Sequence, residues 1–326
     1  MDISTTYMGL HLKSPLIAGS SGMTRSLTTI KEFEKSGVGA VVLKSLFEEQ
    51  ISYEVKQAYD EAAGDSYPEA LDYIRSYSKD KSLGEYLQLI QDAKKSCAIP
   101  IIASVNCNTN SEWTAFASKI EAAGADALEL NMFILPSDPD KEGTHNEELY
   151  FKIFNDVKKQ VKIPIAIKIS PYFSSLARFA TKLSWGGPAA LVMFNRFFSP
   201  DFDIDNFKVI PSSVLSKPEE LHDSLRWVAM LSDRIYCDIA ASTGVHDGSG
   251  IIKQLLAGAK AVQATSVFYG KGTGYAATML KELEEWMKKH NFNCIEDFRG
   301  KMSYKKSDNP AALERVQFMK YFAGIE

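Results

Sequence analysis

The chain has 326 residues, 45% of them hydrophobic and 24% charged, and a formal net charge of −4. That composition describes an ordinary globular chain with ample material for a core. The acidic balance argues against a nucleic-acid surface, which needs a basic stripe. The N-terminus, MDISTTYMGLHLKSP, lacks the basic-then-apolar pattern of a signal peptide. The apolar runs fall far short of a membrane span. The four cysteines, Cys97, Cys107, Cys237 and Cys294, form no CxxC pair and no zinc pattern. A cytoplasmic protein with reduced thiols, no bound metal and no iron–sulfur cluster is expected.

Short β-branched runs alternate with amphipathic stretches, the pattern of βαβ units around a parallel sheet. A first strand is expected at 15–19 and a helix at 27–36. The second strand, 38–44, ends on Lys44, and a long connection over 47–82 leads to a helix at 83–96. The third strand, 100–106, ends on Asn106 with Cys107 at its mouth, before a helix at 111–123. The fourth, 125–131, ends on Asn131, before a helix at 146–160. The fifth, 163–169, carries Lys168 inside an apolar run and leads to a helix at 174–185. The sixth, 188–194, is followed by Asn195, an aromatic-rich connection over 196–216, and a helix at 217–231. The seventh, 235–241, runs into Ser242, Thr243 and Gly244 and a helix at 249–257. The eighth, 260–265, ends on Thr265 and Ser266, and a helix follows at 275–289. Most strands are continuously apolar, as strands buried on both faces are. Gly124, Gly187 and Gly258 stand just past helix ends, where a left-handed cap is needed.

Eight such alternations favour a closed (β/α)8 barrel over an open doubly wound sheet. No linker or composition shift divides the chain, so residues 1–326 are read as one domain. The two long connections follow strand C-termini, the face where barrel active sites form, and connections of that length are usually functional. The aromatics of NRFFSPDFDIDNF in the second connection could close over a substrate, pack the connection, or line a dimer contact. A homodimer is the expected assembly.

Polar residues at the strand ends can converge on one ligand. A lysine in IPIAIKI costs several kcal/mol to bury unpaired, so Lys168 needs an anion or a polarised oxygen nearby, unless it snorkels to solvent. Lys44 is read the same way. The loops STGVHDGSG and ATSVFYGKG could cradle a phosphate through backbone N–H groups, or be ordinary glycine turns. GKGTG lacks the spacing of a P-loop.

These segments resemble the dihydroorotate dehydrogenases, which are FMN-containing barrels. MGLHLKSPLIAGSSG is similar to the family's opening strand and flavin-contacting loop, which implies that Ser20 and Ser21 touch FMN. GVGAVVLKS, ALELN and IPIAIKISPYF are similar to the segments that carry flavin-site residues, here Lys44, Asn131 and Lys168. ASTGV and VQATSVFYGKG look like the two phosphate loops, placing Ser242, Thr243, Gly244, Thr265 and Ser266 at the phosphate. EDFRGKM looks like the closing motif. The resemblance implies that a lysine cation, here Lys168, stabilises negative charge on reduced flavin, and that Lys44 lies nearer the substrate.

The substrate-facing pattern departs from the family. The segment after ALELN reads MFILPSDP, and the position of the family's catalytic base falls on Ile134, that of a substrate-contacting asparagine on Pro136. An asparagine-containing loop expected after the second strand is replaced by EAAGDSYPEALDYI. Asn195 is retained, with Arg196 where a small hydroxyl residue is usual, and a glycine pair is reduced to Thr243-Gly244. The expected function is therefore an FMN-dependent oxidoreductase that acts on a CH–CH bond or a similar small planar substrate, other than dihydroorotate itself. Lys44, Asn195 and Cys107 are the catalytic candidates; Ser137, Asp138 and His145 are further replacement bases. Arg196 could pair with a substrate carboxylate. The alternatives are a flavin- or anion-binding barrel without turnover and, on fold alone, a phosphosugar isomerase or aldolase. The electron acceptor is not legible.

Overall fold

Each of the eight apolar runs forms a strand, and their registers close a ring. The computed structural model describes residues 1–48, 68–107, 110–197 and 199–314, and side chains throughout these except at 68–80, 110 and 312. The strands are β1 (Thr5–Tyr7), β2 (Leu10–Leu12), β3 (Leu16–Ala18), β4 (Ala40–Val42), β5 (Leu46–Phe47), β6 (Ile101–Asn106) and β7 (Ala127–Asn131). They continue with β8 (Ile165–Ile169), β9 (Ala190–Met193), β10 (Pro200–Asp203), β11 (Lys208–Pro211), β12 (Asp238–Ser242) and β13 (Ala261–Ala264). Parallel pairing runs β3–β4–β6–β7–β8–β9–β12–β13 and returns to β3 through Val262 opposite Leu16. This is the closed (β/α)8 barrel expected from the alternation, with helices outside it.

The strand pleat sorts side chains into two cores. Outward residues such as Leu128, Ile167 and Leu191 meet the apolar faces of the helices. The Leu176–Trp185 helix contributes Leu176, Phe179, Ala180 and Leu183, spaced to one face. Inward residues low in the barrel are small or β-branched: Ala40, Val42, Ala127, Ala166, Ala190, Val192, Ala240 and Ala261. The alanines leave room for Tyr7, Met8 and Leu12, which plug the N-terminal end.

That plug is a hairpin of β1 and β2 which the strand pattern did not announce. Its strands carry an exposed residue in the middle rather than a continuous apolar run, and its signal is the turn Met8-Gly9, both residues at positive φ (56° and 77°). The Met8 N–H donates to Asp238 Oδ2 at 2.8 Å, tying the plug to the foot of β12.

The long connections differ from the loops expected. The helix read as 83–96 begins at Pro68 and runs to Ser96, so much of the 47–82 stretch is helical; residues 49–67 lie outside the described residues. The connection over 196–216 contains the antiparallel pair β10 and β11. Gly124, Gly187 and Gly258 are all in the left-handed region, at φ 93°, 80° and 115°.

Candidate active site

One strand step above the alanine layer, the inward positions turn polar. Ala127 gives way to Glu129 and then Asn131 on β7, Ala166 to Lys168 on β8, Ala240 to Ser242 on β12, and Ala261 to Gln263 on β13. Gln263 links two of them: Lys168 Nζ donates to Gln263 Oε1 at 3.0 Å, and Gln263 Nε2 donates to Glu129 Oε2 at 2.6 Å. Lys168 Nζ stands 3.9 Å from Glu129 Oε1, which is buried with no hydrogen-bond partner. The Glu129 carboxylate is only 1% exposed, so the lysine and the amide are its compensation in a low-dielectric interior.

Lys44 is aimed by a break in the second barrel strand. Val42 pairs with Ile102 and Leu46 with Val105, so four steps on one strand face three on its neighbour. The extra residue lies within 43–45, a bulge of the kind that redirects a side chain beside an active site. Ser45 is held there by its N–H bond to Ser20 Oγ (2.9 Å) and by Oγ contacts to Ser20 (3.0 Å) and Ser104 (2.7 Å). Asn131 Nδ2 donates to Ser45 Oγ at 3.2 Å, while Asn131 Oδ1 is buried without a partner. Tyr86, from the Pro68–Ser96 helix, accepts from Ser104 N and donates to Ser104 O, and burial pushes its phenol well above the ordinary value.

The loops after β12 and β13 complete one side. Thr243 and Gly244 both have positive φ (78° and 75°). A Cβ at Gly244 would lie 2.1 Å from Leu221 N, so only glycine fits. No residue of the Gly248–Ala257 helix lines this cleft, and side chains take the helix's first N–H groups. Asp247 Oδ1 caps Gly250 N at 2.8 Å, and Glu282 Oε2 takes Gly248 N at 2.6 Å. The carboxylates already satisfy those donors. Thr243–Gly244 and Thr265–Ser266 line the cleft from these two loops.

A strap closes the far side. Arg196 Nε and Nη2 hold Glu220 at 2.7 and 3.3 Å, and Nη1 donates to Ser213 O (3.1 Å) and Val214 O (3.0 Å). Burial raises the Glu220 carboxyl, but the Arg196 bonds and the Lys217 N–H more than offset it, leaving it below the ordinary value. Ser216 is pinned by its N–H to Ser266 Oγ (2.9 Å) and by His246 (3.2 Å). Val214 and Leu215 thereby line a cleft of about 550 Å³, a size that suits a cofactor with a small substrate.

All ten residues read as cofactor-binding line this cleft: Ser20, Ser21, Lys44, Asn131, Lys168, Ser242, Thr243, Gly244, Thr265 and Ser266. So does Asn195, whose amide is spent on Met132 O (3.0 Å) and Lys168 O (3.2 Å). Cys107 is not brought there; it is buried in the layer between strands and helices. Ile134 packs against that same layer, and Pro136, Ser137, Asp138 and His145 are exposed outside the cleft. Arg196 lines the cleft with its fork committed to Glu220 and the strap. Sequence reading missed Glu129 and Gln263, although each is a polar residue in an apolar run, the same signal that marked Lys168. Nothing local marks the Val214–Ser216 strap.

The chain is 29% identical over 308 residues to the dihydroorotate dehydrogenase B (NAD(+)) catalytic subunit of Thermoplasma volcanium, covering 92% of this chain and 98% of the relative. It is 28% identical to the protein of the same name from Methanocella arvoryzae (91% and 96% covered). A third of that name, from Petrotoga mobilis, is 26% identical (92% and 99% covered). The sequence profile described as dihydroorotate dehydrogenase matches residues 2–287. With that match across the barrel and its cleft, the chain belongs to the dihydroorotate dehydrogenase family.

Proposed function

We propose that the protein is an FMN-dependent oxidoreductase acting on a CH–CH bond of a small planar molecule, and that dihydroorotate is not that molecule. Family membership supports an oxidoreductase of the dihydroorotate dehydrogenase type. The cleft fits the cofactor on its own terms. Asn131 Oδ1 is a buried acceptor awaiting a donor, Lys168 is a cation held in place from below, and two backbone turns stand ready for a phosphate. Lys168 and Asn131 would hold the ring, Thr243–Gly244 and Thr265–Ser266 the phosphate. The flavin, when bound, supplies hydride transfer.

The observation that carries the substrate reading is the fate of the base position. Ile134, at the position of the family's cysteine or serine base, is turned into hydrophobic packing; among the described residues lining the cleft none is Cys, Asp, Glu or His, and serines there such as Ser45 and Ser216 are hydrogen-bonded to neighbouring residues. General base catalysis contributes about 100- to 10,000-fold, so dihydroorotate oxidation should be slowed by at least that order. Anaerobic mixing of FMN-loaded protein with dihydroorotate tests this; slow or absent flavin bleaching is expected, and bleaching at an ordinary enzymatic rate sinks the reading. The same absence of Cys, Asp, Glu and His among the described residues lining the cleft favours a second reading, a flavin-binding barrel without turnover. A substrate that bleaches the flavin separates the two. For assembly we propose a homodimer, supported by the exposed apolar face of the β10–β11 pair, where Phe202, Ile204, Phe207 and Val209 stand open.

A further inference from the structure

Glu129 is a buried carboxylate for which holding a cofactor has no direct use. It stands one inward position below Asn131 on β7, opposite Ala166, while Asn131 stands opposite Lys168. Lys168 and Gln263 line the cleft, and Glu129 lies beneath them. Its ion-pair partner among the described residues is Lys168, with Nζ 3.9 Å from Oε1. That separation exceeds the roughly 2.7–2.9 Å of a charge-assisted hydrogen bond. Yet Oε1 is buried without a donor of its own. Opposite charges in a low-dielectric interior gain most by closing to contact. Something keeps these two apart.

Gln263 occupies both of them. Its Oε1 accepts from Lys168 Nζ at 3.0 Å, and its Nε2 donates to Glu129 Oε2 at 2.6 Å. The side chain is buried, on a strand paired on both sides. Turning the amide over would set its NH2 against the ammonium and its carbonyl against the carboxylate, so the two charges fix its orientation. The phenols of Tyr7 and Tyr86, which feel the same carboxylate, stay neutral. Burial above all, with the carboxylate adding to it, pushes both well up. The ammonium thus keeps its charge at the cleft, and the carboxylate tempers it from below.

We propose that Glu129 and Gln263 are positioning residues that set the flavin's reduction potential through Lys168. The carboxylate is a counter-charge that holds the potential down, and the amide is a spacer that keeps the lysine from collapsing onto it. The inference rests on the flavin reading of the cleft. Reduced flavin carries negative charge, which a cation stabilises and an anion opposes. Removing the carboxylate leaves the cation uncancelled and favours the reduced form. Removing the amide while the carboxylate remains lets Lys168 close onto Oε1, draws charge away from the cleft and disfavours the reduced form. A purely structural role predicts a different pattern, because loosening Lys168 by either change weakens its hold on the ring and lowers the potential.

The test equilibrates FMN-loaded protein anaerobically with a reference dye and reads the ratio of reduced to oxidised flavin from absorbance at a fixed dye ratio. Glu129→Gln is expected to raise that ratio about tenfold or more, and Gln263→Leu to lower it by a similar factor. The double variant Glu129→Gln/Gln263→Leu has no carboxylate for the lysine to collapse onto, and is expected to lie well above Gln263→Leu alone. Urea unfolding of each apoprotein and the FMN dissociation constant of each variant separate changes in fold and affinity from changes in potential. Glu129→Leu and Gln263→Met stand in for a single variant that loses its FMN. A ratio that falls or holds still when the carboxylate is removed overturns the inference, as does a fall in both single variants, or loss of FMN from both members of either pair. Unmodified protein that takes up no FMN overturns the flavin reading and this inference with it; FMN-loaded variants that fail the pattern of opposite signs overturn only the latter.

Discussion

Lys168 is held at the barrel mouth by two residues that answer for its charge from below. Replacing it with alanine removes a cation that lines the cleft and strips Glu129 of the ion-pair partner found among the described residues. Lys168→Ala is expected to weaken FMN binding and to lower the flavin potential, at a cost of about 2–4 kcal/mol for a lost preorganised donor. It should also destabilise the apoprotein, because the carboxylate is left buried and uncompensated. Lys168→Ala/Glu129→Gln should recover the apoprotein stability in urea unfolding without recovering FMN affinity; equal loss of both in single and double variants would refute the coupling. Asp238 offers a contrasting case at the other end of the barrel. Burial raises its carboxyl pKa, against the Met8 N–H bond and the charges of Lys260 and Arg299. A carboxylate raised on folding favours the fold below its unfolded pKa, and that contribution is lost as pH rises through the folded pKa. Asp238→Asn, which keeps an acceptor for Met8, should therefore stabilise at neutral pH and bring no gain in acid, as read from unfolding at several pH values. Residues such as Lys168 were legible because a charge inside an apolar run has few bland explanations. Glu129 carried the same mark, but its partner Gln263 lies 134 residues away, and the pairing exists only once the barrel closes.

Elements were legible where a continuous apolar run or an amphipathic stretch marks them. All eight barrel strands and the helices between them follow from apolar runs alternating with amphipathic stretches. The β1–β2 plug and the β10–β11 pair escaped because, unlike the equally short β3, β4, β9 and β13, they do not lie in continuous apolar runs, and their apolar residues serve the plug or remain exposed. The helix start at Pro68 was not read from the sequence, although Leu71, Ile74 and Tyr77 follow it at helical spacing. The turn between β12 and its helix shows what an element demands of one residue. Gly244 sits at φ 75° with Leu221 N and Cα within 2.1 and 2.6 Å of where a Cβ would be. Gly244→Ala combines left-handed strain with overpacking against the start of the Leu221–Leu231 helix, about 2–5 kcal/mol together, and should release FMN. Gly84, exposed within the Pro68–Ser96 helix with nothing within 4 Å of its added Cβ, is the counterpart. Gly84→Ala should stabilise by about 0.5–1 kcal/mol. Thermal unfolding of the two variants should move in opposite directions, and a neutral Gly244→Ala would show that the turn is softer than its geometry.

For the whole molecule, a closed ring of eight strands means that residues from the first loop to the eighth strand meet in one cleft, so a ligand there can touch segments far apart in the chain. Ser20 and Ser21 follow β3, while Thr265 and Ser266 follow β13, and both pairs line the same space. That convergence was readable from chain order once eight strands were counted; the strap was not, because Arg196, Glu220 and Ser266 meet only through tertiary packing. A ligand that binds only the folded barrel stabilises it by mass action, about 2.7 kcal/mol at a hundred times its dissociation constant. For a domain of this size, saturating FMN should raise the melting temperature by roughly 4–8 °C over the stripped protein. Riboflavin, which has the ring but no phosphate, separates the contributions of the two ends. If Thr243–Gly244 and Thr265–Ser266 carry the phosphate, riboflavin at the same concentration should give a clearly smaller shift, and adding inorganic phosphate should restore part of the difference. Equal shifts for FMN and riboflavin would show that these loops hold no phosphate and that Lys168, Asn131 and the serine cluster around Ser45 account for binding alone.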